Sequence, residues 1–235
     1  MAEVLSAALR DAERLVEAGF DGLVVENFGD APFFKDSVPA ITVAAMACVA
    51  SEIRRVTGLP LCVNVLRNDA LSAMSVAVAS GAQAIRVNIH TGARLTDQGI
   101  IEGRAADTLR LRQALGAHEV QVWADVSVKH STALGNPPRT LAEEVPDLVK
   151  RGKAEGLIVS GVATGAAVEV ERVRQVAELG AGCPVLIGSG VDEANAQDLL
   201  GVASGLIVGT SIKEQGVTTA PVDLARARGL VLAAG

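Results

Sequence analysis

Short apolar runs alternate along this chain with stretches whose apolar residues recur at helical spacing. Each short run is rich in Val, Ile and Leu and ends in charged, amide, hydroxyl or glycine residues. Such an alternation predicts parallel strands joined by helices, with ligands bound at the carboxyl ends of the strands. The predicted strands are 22–27, 61–67, 84–89, 120–129, 156–161, 184–190 and 205–211.

Helices are predicted between the strands, and one also precedes the first strand. In that first helix, over 4–18, apolar residues fall on one face and charged residues on the other. An eight-stranded barrel begins with a strand. We therefore predict a TIM (β/α)8-type barrel that lacks its first strand, as one domain over 1–235. The other helices are predicted over 38–57, 70–80, 104–115, 140–155, 168–179, 192–200 and 223–233, with loops at 90–103 and 130–139.

The composition narrows the function classes. The chain has 235 residues, of which 49% are hydrophobic, enough for a sizeable core. A net charge of −6 and only 2% aromatic residues argue against nucleic-acid binding and against a polybasic membrane patch. No apolar run reaches the roughly 18 residues of a membrane span, and no signal peptide is predicted. We expect a cytoplasmic protein without direct membrane insertion, whose three cysteines are reduced.

Period-two alternation assigns faces to the predicted strands. In the strand 120–129, the valines share one face, which should pack on helices. Trp123, Asp125, Ser127 and Lys129 share the other face, which should point into the barrel. The same argument turns four more polar side chains inward, namely Glu26, Asn64, Arg86 and Asn88.

Buried charges are costly unless they are paired or used. One interpretation is an internal ion-pair network that only fills the barrel. For Arg86, this interpretation and a functional role explain the sequence equally well. Asp125 and Lys129 lie near the end of their strand, where barrel active sites form, so we favour function. Asp125 is a candidate general base or metal ligand. Lys129 is a candidate electrophile, or a Schiff-base amine if burial lowers its pKa.

Two glycine-bearing loops follow the last two predicted strands, Gly188-Ser-Gly190 and Gly209-Thr-Ser211. Glycine lets backbone N–H groups approach an anion, and barrels often bind phosphate at this pair of loops. Ser160-Gly161 and Thr164-Gly165 add hydroxyl and amide groups on the same side. A plain turn with a helix cap explains these last residues equally well.

The loop after the first strand holds Phe28 and Phe33, with Phe34 beside them. In so aromatic-poor a chain, this grouping indicates a lid or an interface. His130, beside Lys129, is a candidate proton relay or a hydrogen-bonded loop residue. The cofactor is left open, with Mg²⁺ as a candidate. The candidate oxygen ligands for Mg²⁺ are Asp69, Asp97, Asp107 and Asp125. Their spacing in the sequence does not define a site, so no metal ligand is assigned.

Several longer motifs resemble the BtpA/SgcQ family over essentially the whole chain. The resemblance implies a ribulose-phosphate-binding-type barrel, and the best-known member of the family is associated with photosystem I biogenesis. The motifs are Val25-Glu-Asn-Phe-Gly-Asp-Ala-Pro-Phe33, Val63-Asn-Val-Leu-Arg-Asn-Asp69, Ile85-Arg-Val-Asn88, Asp97-Gln-Gly99, Ala124-Asp125 with Val128-Lys-His130, Gly188-Ser-Gly-Val191 and Gly209-Thr-Ser-Ile-Lys213.

One departure from the family pattern concerns the start of the chain. Members of the family usually begin with an apolar strand and a Pro-Leu-Pro-Gly-like loop, which this sequence does not show. Without that strand, the first and last predicted strands would each expose an edge. A split barrel, an edge covered by a partner subunit and a misassigned start are the three alternatives. We favour a homo-oligomer that shields the gap.

Two functions follow from these observations. The first is an enzyme that acts on a small phosphorylated sugar, nucleoside or nucleotide. The second is a non-catalytic assembly factor that acts through protein partners, as the family resemblance implies. For the enzyme, Asp125, Lys129 and Glu26 are the predicted catalytic residues. The predicted substrate-binding residues are Asn27, Asn64, Arg67, Asn68, Arg86, Asn88 and His130, and the predicted phosphate-binding residues are Ser160, Gly161, Thr164, Gly165, Gly188, Ser189, Gly190, Gly209, Thr210 and Ser211.

Overall fold

The computed structural model describes residues 1–135, 137–161 and 169–235. Seven of its ten strands form one parallel sheet, in the order β1-β2-β3-β6-β8-β9-β10. The other three form a small antiparallel sheet in the order β5-β4-β7. The strands are β1 (Leu23–Glu26), β2 (Leu61–Asn64), β3 (Ala84–Val87), β4 (Ala93–Thr96), β5 (Gly99–Glu102), β6 (Gln121–Val126), β7 (Ser131–Ala133), β8 (Gly156–Val159), β9 (Val185–Ile187) and β10 (Gly205–Leu206).

Helices surround the parallel sheet, and their apolar faces bury the outer faces of its strands. The first three helices end at glycines in the left-handed conformation, Gly19, Gly58 and Gly81, as expected of helix C-caps. The helices are α1 (Ala2–Ala18), α2 (Ala40–Thr57), α3 (Ala70–Ser80), α4 (Ala105–Ala114), α5 (Leu141–Pro146), α6 (Val170–Leu179), α7 (Ala196–Leu200) and α8 (Leu224–Ala234); a π-helical turn, Asp147–Arg151, continues α5.

The predicted barrel type is confirmed, because the parallel sheet curls with its seven strands in chain order. Within the described residues, β1 pairs only with β2, and β10 pairs only with β9. On the outside of the sheet, α1 packs against both α8 and α2. The inner sheet is therefore open between β1 and β10, and α1 covers the opening from outside.

The segment 90–103, predicted as a loop, folds as a hairpin of β4 and β5. Asp97 and Gln98 form its two-residue turn, between the paired residues Thr96 and Gly99. Gly99 has a φ of +93°, which favours glycine, and the Thr96 hydroxyl donates a hydrogen bond of 2.9 Å to its carbonyl. The strands are only four residues long, and the two-residue turn was the signal that the sequence reading missed.

The predicted strand 120–129 is also shorter than expected, because β6 ends at Val126. Ser127 adopts a positive φ of 49°, which breaks the alternation of faces. Its backbone N–H and its hydroxyl both donate to the Glu144 carboxylate on α5, over 2.8 and 2.7 Å. Ser127 therefore bonds to the helix layer, contrary to the inward direction predicted for it. The chain then pairs as β7 with β4, within a predicted loop.

Replacing Gly103 by alanine should destabilise the root of the hairpin. A Cβ at Gly103 would lie 2.4 Å from the carbonyl oxygen of His90 and 2.5 Å from its carbonyl carbon. Both are backbone atoms that cannot rotate away, so we expect a loss of about 1–3 kcal/mol in the free energy of unfolding. Urea denaturation of Gly103→Ala measures it. Gly29→Ala is the control, because nothing lies within 4 Å of its Cβ position; equal effects of the two substitutions would contradict the packing argument.

Candidate functional site

A buried ion pair lies at the centre of the barrel. Arg86, on β3, donates from Nε to Oδ1 of Asp125, on β6, over 2.9 Å, and from Nη2 to Oδ2 over 3.1 Å. The Arg86 side chain is 5% exposed and the Asp125 side chain is fully buried. The strand register brings the two side chains together. Arg86 on β3 is paired with Trp123 on β6, and Asp125 lies two residues beyond Trp123 on the same strand. This two-bond geometry is the strongest that a guanidinium and a carboxylate form.

Three more polar side chains extend this pair across the sheet. Glu26, on β1, accepts a hydrogen bond of 2.9 Å from Asn64, on β2. It also forms an ion pair with Arg86, whose Nη1 lies 3.3 Å from Glu26 Oε1. Asn88 donates to Asp125 Oδ2 over 2.9 Å. The structure thus brings together the inward residues that the alternation of β1, β2, β3 and β6 predicts.

Arg86 remains charged in this interior. Burial acts against its charge, but the neighbouring carboxylates of Asp125 and Glu26 outweigh that effect and raise the pKa of Arg86. Both Asp125 oxygens already accept hydrogen bonds from Arg86 or Asn88, and the side chain has no exposed surface. Glu26 is 26% exposed and is the more accessible acid of the two.

Lys129 follows β6 and is half-buried. Burial, and next the positive charge of Arg86, lower the pKa of Lys129, while Glu26 and Asp125 act in the opposite direction. No side chain in the described part of the chain forms a hydrogen bond or an ion pair of 4.0 Å or less with its ammonium group. Lys129 is therefore a cation whose charge is available to a ligand.

Two cavities meet at this cluster. The larger has a volume of about 890 Å³ and reaches from Arg86 and Lys129 to the gap between β1 and β10, beneath α1. The smaller has a volume of about 300 Å³ and extends toward Arg67 and Asp97. Glu26, Phe28, Arg86 and Lys129 line both, so one ligand can contact both spaces.

The two glycine loops lie where the sequence places them, at the ends of β9 and β10. Their residues line the larger cavity together: Gly188, Ser189, Gly190, Gly209, Thr210 and Ser211. Gly188 has no room for a side chain, because a Cβ there would lie 2.5 Å from Ile158 Cγ2 and 3.3 Å from Arg86 Nη2. The loop backbone therefore lies directly against the central guanidinium.

A hydrogen bond joins the loop after β8 to the loop after β9. The Gly161 N–H donates to the Ser189 hydroxyl over 2.9 Å, so this bond joins two loops. The buried Ser160 hydroxyl has no hydrogen-bond partner in the described part of the chain, and it lies 2.9 Å from the position of a Cβ at Gly188. Thr164 and Gly165 lie outside the described residues.

The predicted substrate-binding residues divide into two groups. Asn64, Arg67, Arg86, Asn88 and His130 line the smaller cavity, where His130 is exposed. The other two hold loops in place.

Asn68 and Asn27 are these loop-holding residues. The Asn68 side chain accepts from the Ile89 N–H over 2.7 Å and donates to the Ile89 carbonyl over 2.9 Å, and Asn68 lines neither cavity. Asn27 accepts from the Leu66 N–H over 2.7 Å, although it also lines the larger cavity. These three bonds fix the loop after β2 against the segments that follow β1 and β3.

Asp97 lines the smaller cavity, although the sequence reading did not include it among the site residues. The hairpin of β4 and β5 carries it there, as part of the two-residue turn. Phe28 and Phe33, from the aromatic loop, line the same cavity with their ring centroids 6.1 Å apart at an angle of 60°. The sequence signal for Asp97 was the turn itself, which depends on recognising the hairpin.

The candidate Mg²⁺ ligands do not converge. Asp69 caps α3 by accepting from the Ser72 N–H, and Asp107 pairs with Arg104, which directly precedes α4. Asp125 is enclosed by Arg86 and Asn88. The residues that the structure describes contain no group of three or more acidic, His or Cys side chains that could hold a metal ion. Nor does any helix among them have the length and hydropathy to cross a membrane.

The BtpA family description matches residues 1–235. This chain belongs to the BtpA family. An uncharacterized protein of Thermococcus kodakarensis is 47% identical over 228 residues, which cover 97% of this chain and 85% of that protein. The photosystem I biogenesis protein BtpA of Synechocystis sp. is 43% identical over 220 residues, which cover 94% of this chain and 76% of that protein. The resemblance inferred from the motifs is thereby confirmed.

Solved structures confirm the barrel. The thiamine phosphate pyrophosphorylase of Pyrococcus furiosus superposes with a TM-score of 0.64 at 14% identity, covering 99% of this chain and 91% of that one. The orotidine 5′-phosphate decarboxylase of Pyrococcus horikoshii gives a TM-score of 0.59 at 16% identity, covering 98% of this chain and 92% of that one. At such identities the likeness concerns the fold of this BtpA-family chain.

Removing the Asp125 charge should destabilise the barrel more than removing the Glu26 charge. In Asp125→Asn the buried guanidinium loses its two-bond partner, and breaking a buried pair typically costs about 3–5 kcal/mol. Glu26 makes a single, longer contact with Arg86 and is partly solvated, so Glu26→Gln should cost less. Urea denaturation of both variants tests the order. A larger loss in Glu26→Gln would refute Asp125 as the principal partner of Arg86.

Proposed function

We propose that this BtpA-family chain is an enzyme acting on a small phosphorylated sugar, nucleoside or nucleotide. The supporting observation is that both glycine loops line one cavity together with Glu26, Arg86 and Lys129. Backbone N–H groups freed of side chains suit a phosphate, and cations beside them suit its charge. The ligand's phosphate would lie against the loops, with its reacting carbon toward Lys129.

The accessible groups suggest a division of roles. Lys129 is a cation that forms no ion pair with the described residues, and it would stabilise negative charge that develops on a carbonyl oxygen or a leaving group. Glu26 is partly exposed beside it and would accept or return a proton. Asp125 is enclosed, so in this proposal it acts as a positioning residue that holds Arg86 rather than as the general base. Asn64 and Asn88 would orient hydroxyl groups of the ligand.

A second candidate function is that of an assembly factor without turnover. It is favoured by the similarity to the photosystem I biogenesis protein BtpA of Synechocystis sp.. A factor of this kind could use the same cavity to bind a ligand without converting it. Turnover, and not binding alone, separates the two candidates.

Phosphorylated ligands should raise the thermal stability of the wild-type protein. A ligand at a hundredfold excess over its dissociation constant stabilises by about 2.7 kcal/mol. The measurement is thermal unfolding with a panel of sugar phosphates and nucleotides, followed by a product assay for each compound that binds. Gly188→Ala should weaken binding, because its Cβ would overlap Ile158 and approach Arg86.

Gly29→Ala is the steric control for that experiment, since Gly29 belongs to neither glycine loop and nothing lies within 4 Å of its Cβ position. Binding without turnover of any compound in the panel would favour the assembly factor. If no compound shifts the unfolding temperature, the proposed phosphate site is wrong. A normal unfolding transition for Gly188→Ala without ligand shows that lost binding does not reflect lost folding.

We also infer that the chain forms a homo-oligomer that shields the open sheet. In the part of the chain that the structure describes, β1 and β10 each have one unpaired edge, and these edges and the cavity between them favour such shielding. Met1, Val4 and Ile41 line the cavity and are more than half exposed, which gives its mouth an apolar rim.

Light scattering coupled to size exclusion should therefore give a mass above that of one 24.0 kDa chain. Ile41→Asp should shift the mass toward the monomer, because it places a charge in the apolar rim. Leu232→Asp is the matched control, since Leu232 is also exposed but does not line the cavity. A monomeric wild-type protein at all concentrations would overturn the inference.

A further inference from the structure

The smaller cavity contains a buried cation that the proposed catalytic roles do not use. Arg67 is 6% exposed and follows β2. Its Nη2 donates to the Lys129 carbonyl over 2.8 Å, which holds the guanidinium at the cavity wall. Within the described residues, no carboxylate lies within 4.0 Å of it.

The contrast with Arg86 shows what Arg67 lacks. Arg86 is equally buried, but two carboxylates compensate for the loss of water around it. Burial is the main influence on Arg67 and lowers its pKa. The carboxylates of Asp125 and Asp97 act in the opposite direction, but only from a distance, and they do not offset the effect of burial. A guanidinium without a close anion is costly inside a protein, and a bound carboxylate or phosphate would relieve that cost.

Lys129 adds a second cation to the same cavity. Its ammonium, like the guanidinium of Arg67, has no ion pair among the described residues. The acids that face the cavity do not replace a ligand: Glu26 is bonded to Arg86 and Asn64, and Asp97 is exposed, where water screens its charge. The uncharged Asn88 side chain also lines this cavity, and its Oδ1 has no hydrogen-bond partner in the described part of the chain.

The cavity is continuous with the larger one through Glu26, Phe28, Arg86 and Lys129. We infer that the ligand carries a second acidic group, a carboxylate or a phosphate, which binds between Arg67 and Lys129 while its first phosphate lies at the glycine loops. This inference rests on the proposed function, which supplies the first phosphate. Arg67 is then a specificity-determining residue that selects substrates with acidic groups at both ends.

Matched pairs of compounds test the second group. Sorbitol 6-phosphate against 6-phosphogluconate tests a carboxylate, and fructose 6-phosphate against fructose 1,6-bisphosphate tests a phosphate. Titration calorimetry with the wild-type protein should give at least about tenfold tighter binding for the doubly acidic member of one pair. The pair that shows the preference identifies the chemistry of the second group.

Arg67→Met should abolish this preference and leave binding of the singly phosphorylated member unchanged. Lys129→Met should reduce it as well, and serves if Arg67→Met does not fold. Arg94→Met is the matched control: Arg94 is half-buried, as Lys129 is, but it pairs with Glu144 and lines neither cavity. It should retain the wild-type preference.

Equal binding of both members in both pairs would overturn the second acidic group and leave the proposed function standing. A preference that survives both Arg67→Met and Lys129→Met would overturn its location. If none of the four compounds binds but other singly phosphorylated compounds do, the inference also fails alone. If no phosphorylated compound binds at all, the proposed function fails and the inference fails with it.

Discussion

The rest of the site depends on one buried guanidinium, that of Arg86. Its two bonds to Asp125 join β3 to β6, and its contact with Glu26 reaches β1. A charge in this position cannot be left unpaired without a large cost, so the carboxylates must lie where they are for the barrel to be stable. Gly188 is then restricted to glycine because the guanidinium and Ile158 occupy the space of a side chain. The ion-pair interpretation and the functional interpretation of Arg86 are thus compatible.

The cations of the site differ in how they are neutralised. Arg86 is compensated within the protein, whereas Arg67 and Lys129 have no close anion among the described residues. The paired Arg86 stabilises the barrel by holding the strands together. The charges of Arg67 and Lys129 are not used in this way, so a ligand could neutralise them. This arrangement agrees better with a ligand-binding site than with a network that only fills the interior.

The barrel type and the central cluster follow from local patterns. Apolar runs between helices predict the strands, and alternation within β1, β2, β3 and β6 predicts that Glu26, Asn64, Arg86 and Asp125 face one another. The failures concern contacts that sequence spacing does not encode. Ser127 leaves the alternation because Glu144, on a later helix, accepts its hydrogen bonds. Asp97 reaches the site only because a short hairpin carries it there, and Asn68 is bound to Ile89, which follows β3.

The packing of α1 against α8, beside an open sheet, has a consequence for how the barrel folds. No strand pairing joins the two ends of the sheet in the described structure, so the contact of α1 with α8 bridges them. Contacts there join residues far apart in the sequence, such as Arg228 on α8 and Glu17 on α1 at 2.7 Å. Contacts of such long sequence separation form at a high entropic cost and therefore late. The cavity between β1 and β10, which both α1 and the glycine loop after β10 line, is then complete only after α1 has docked against α8.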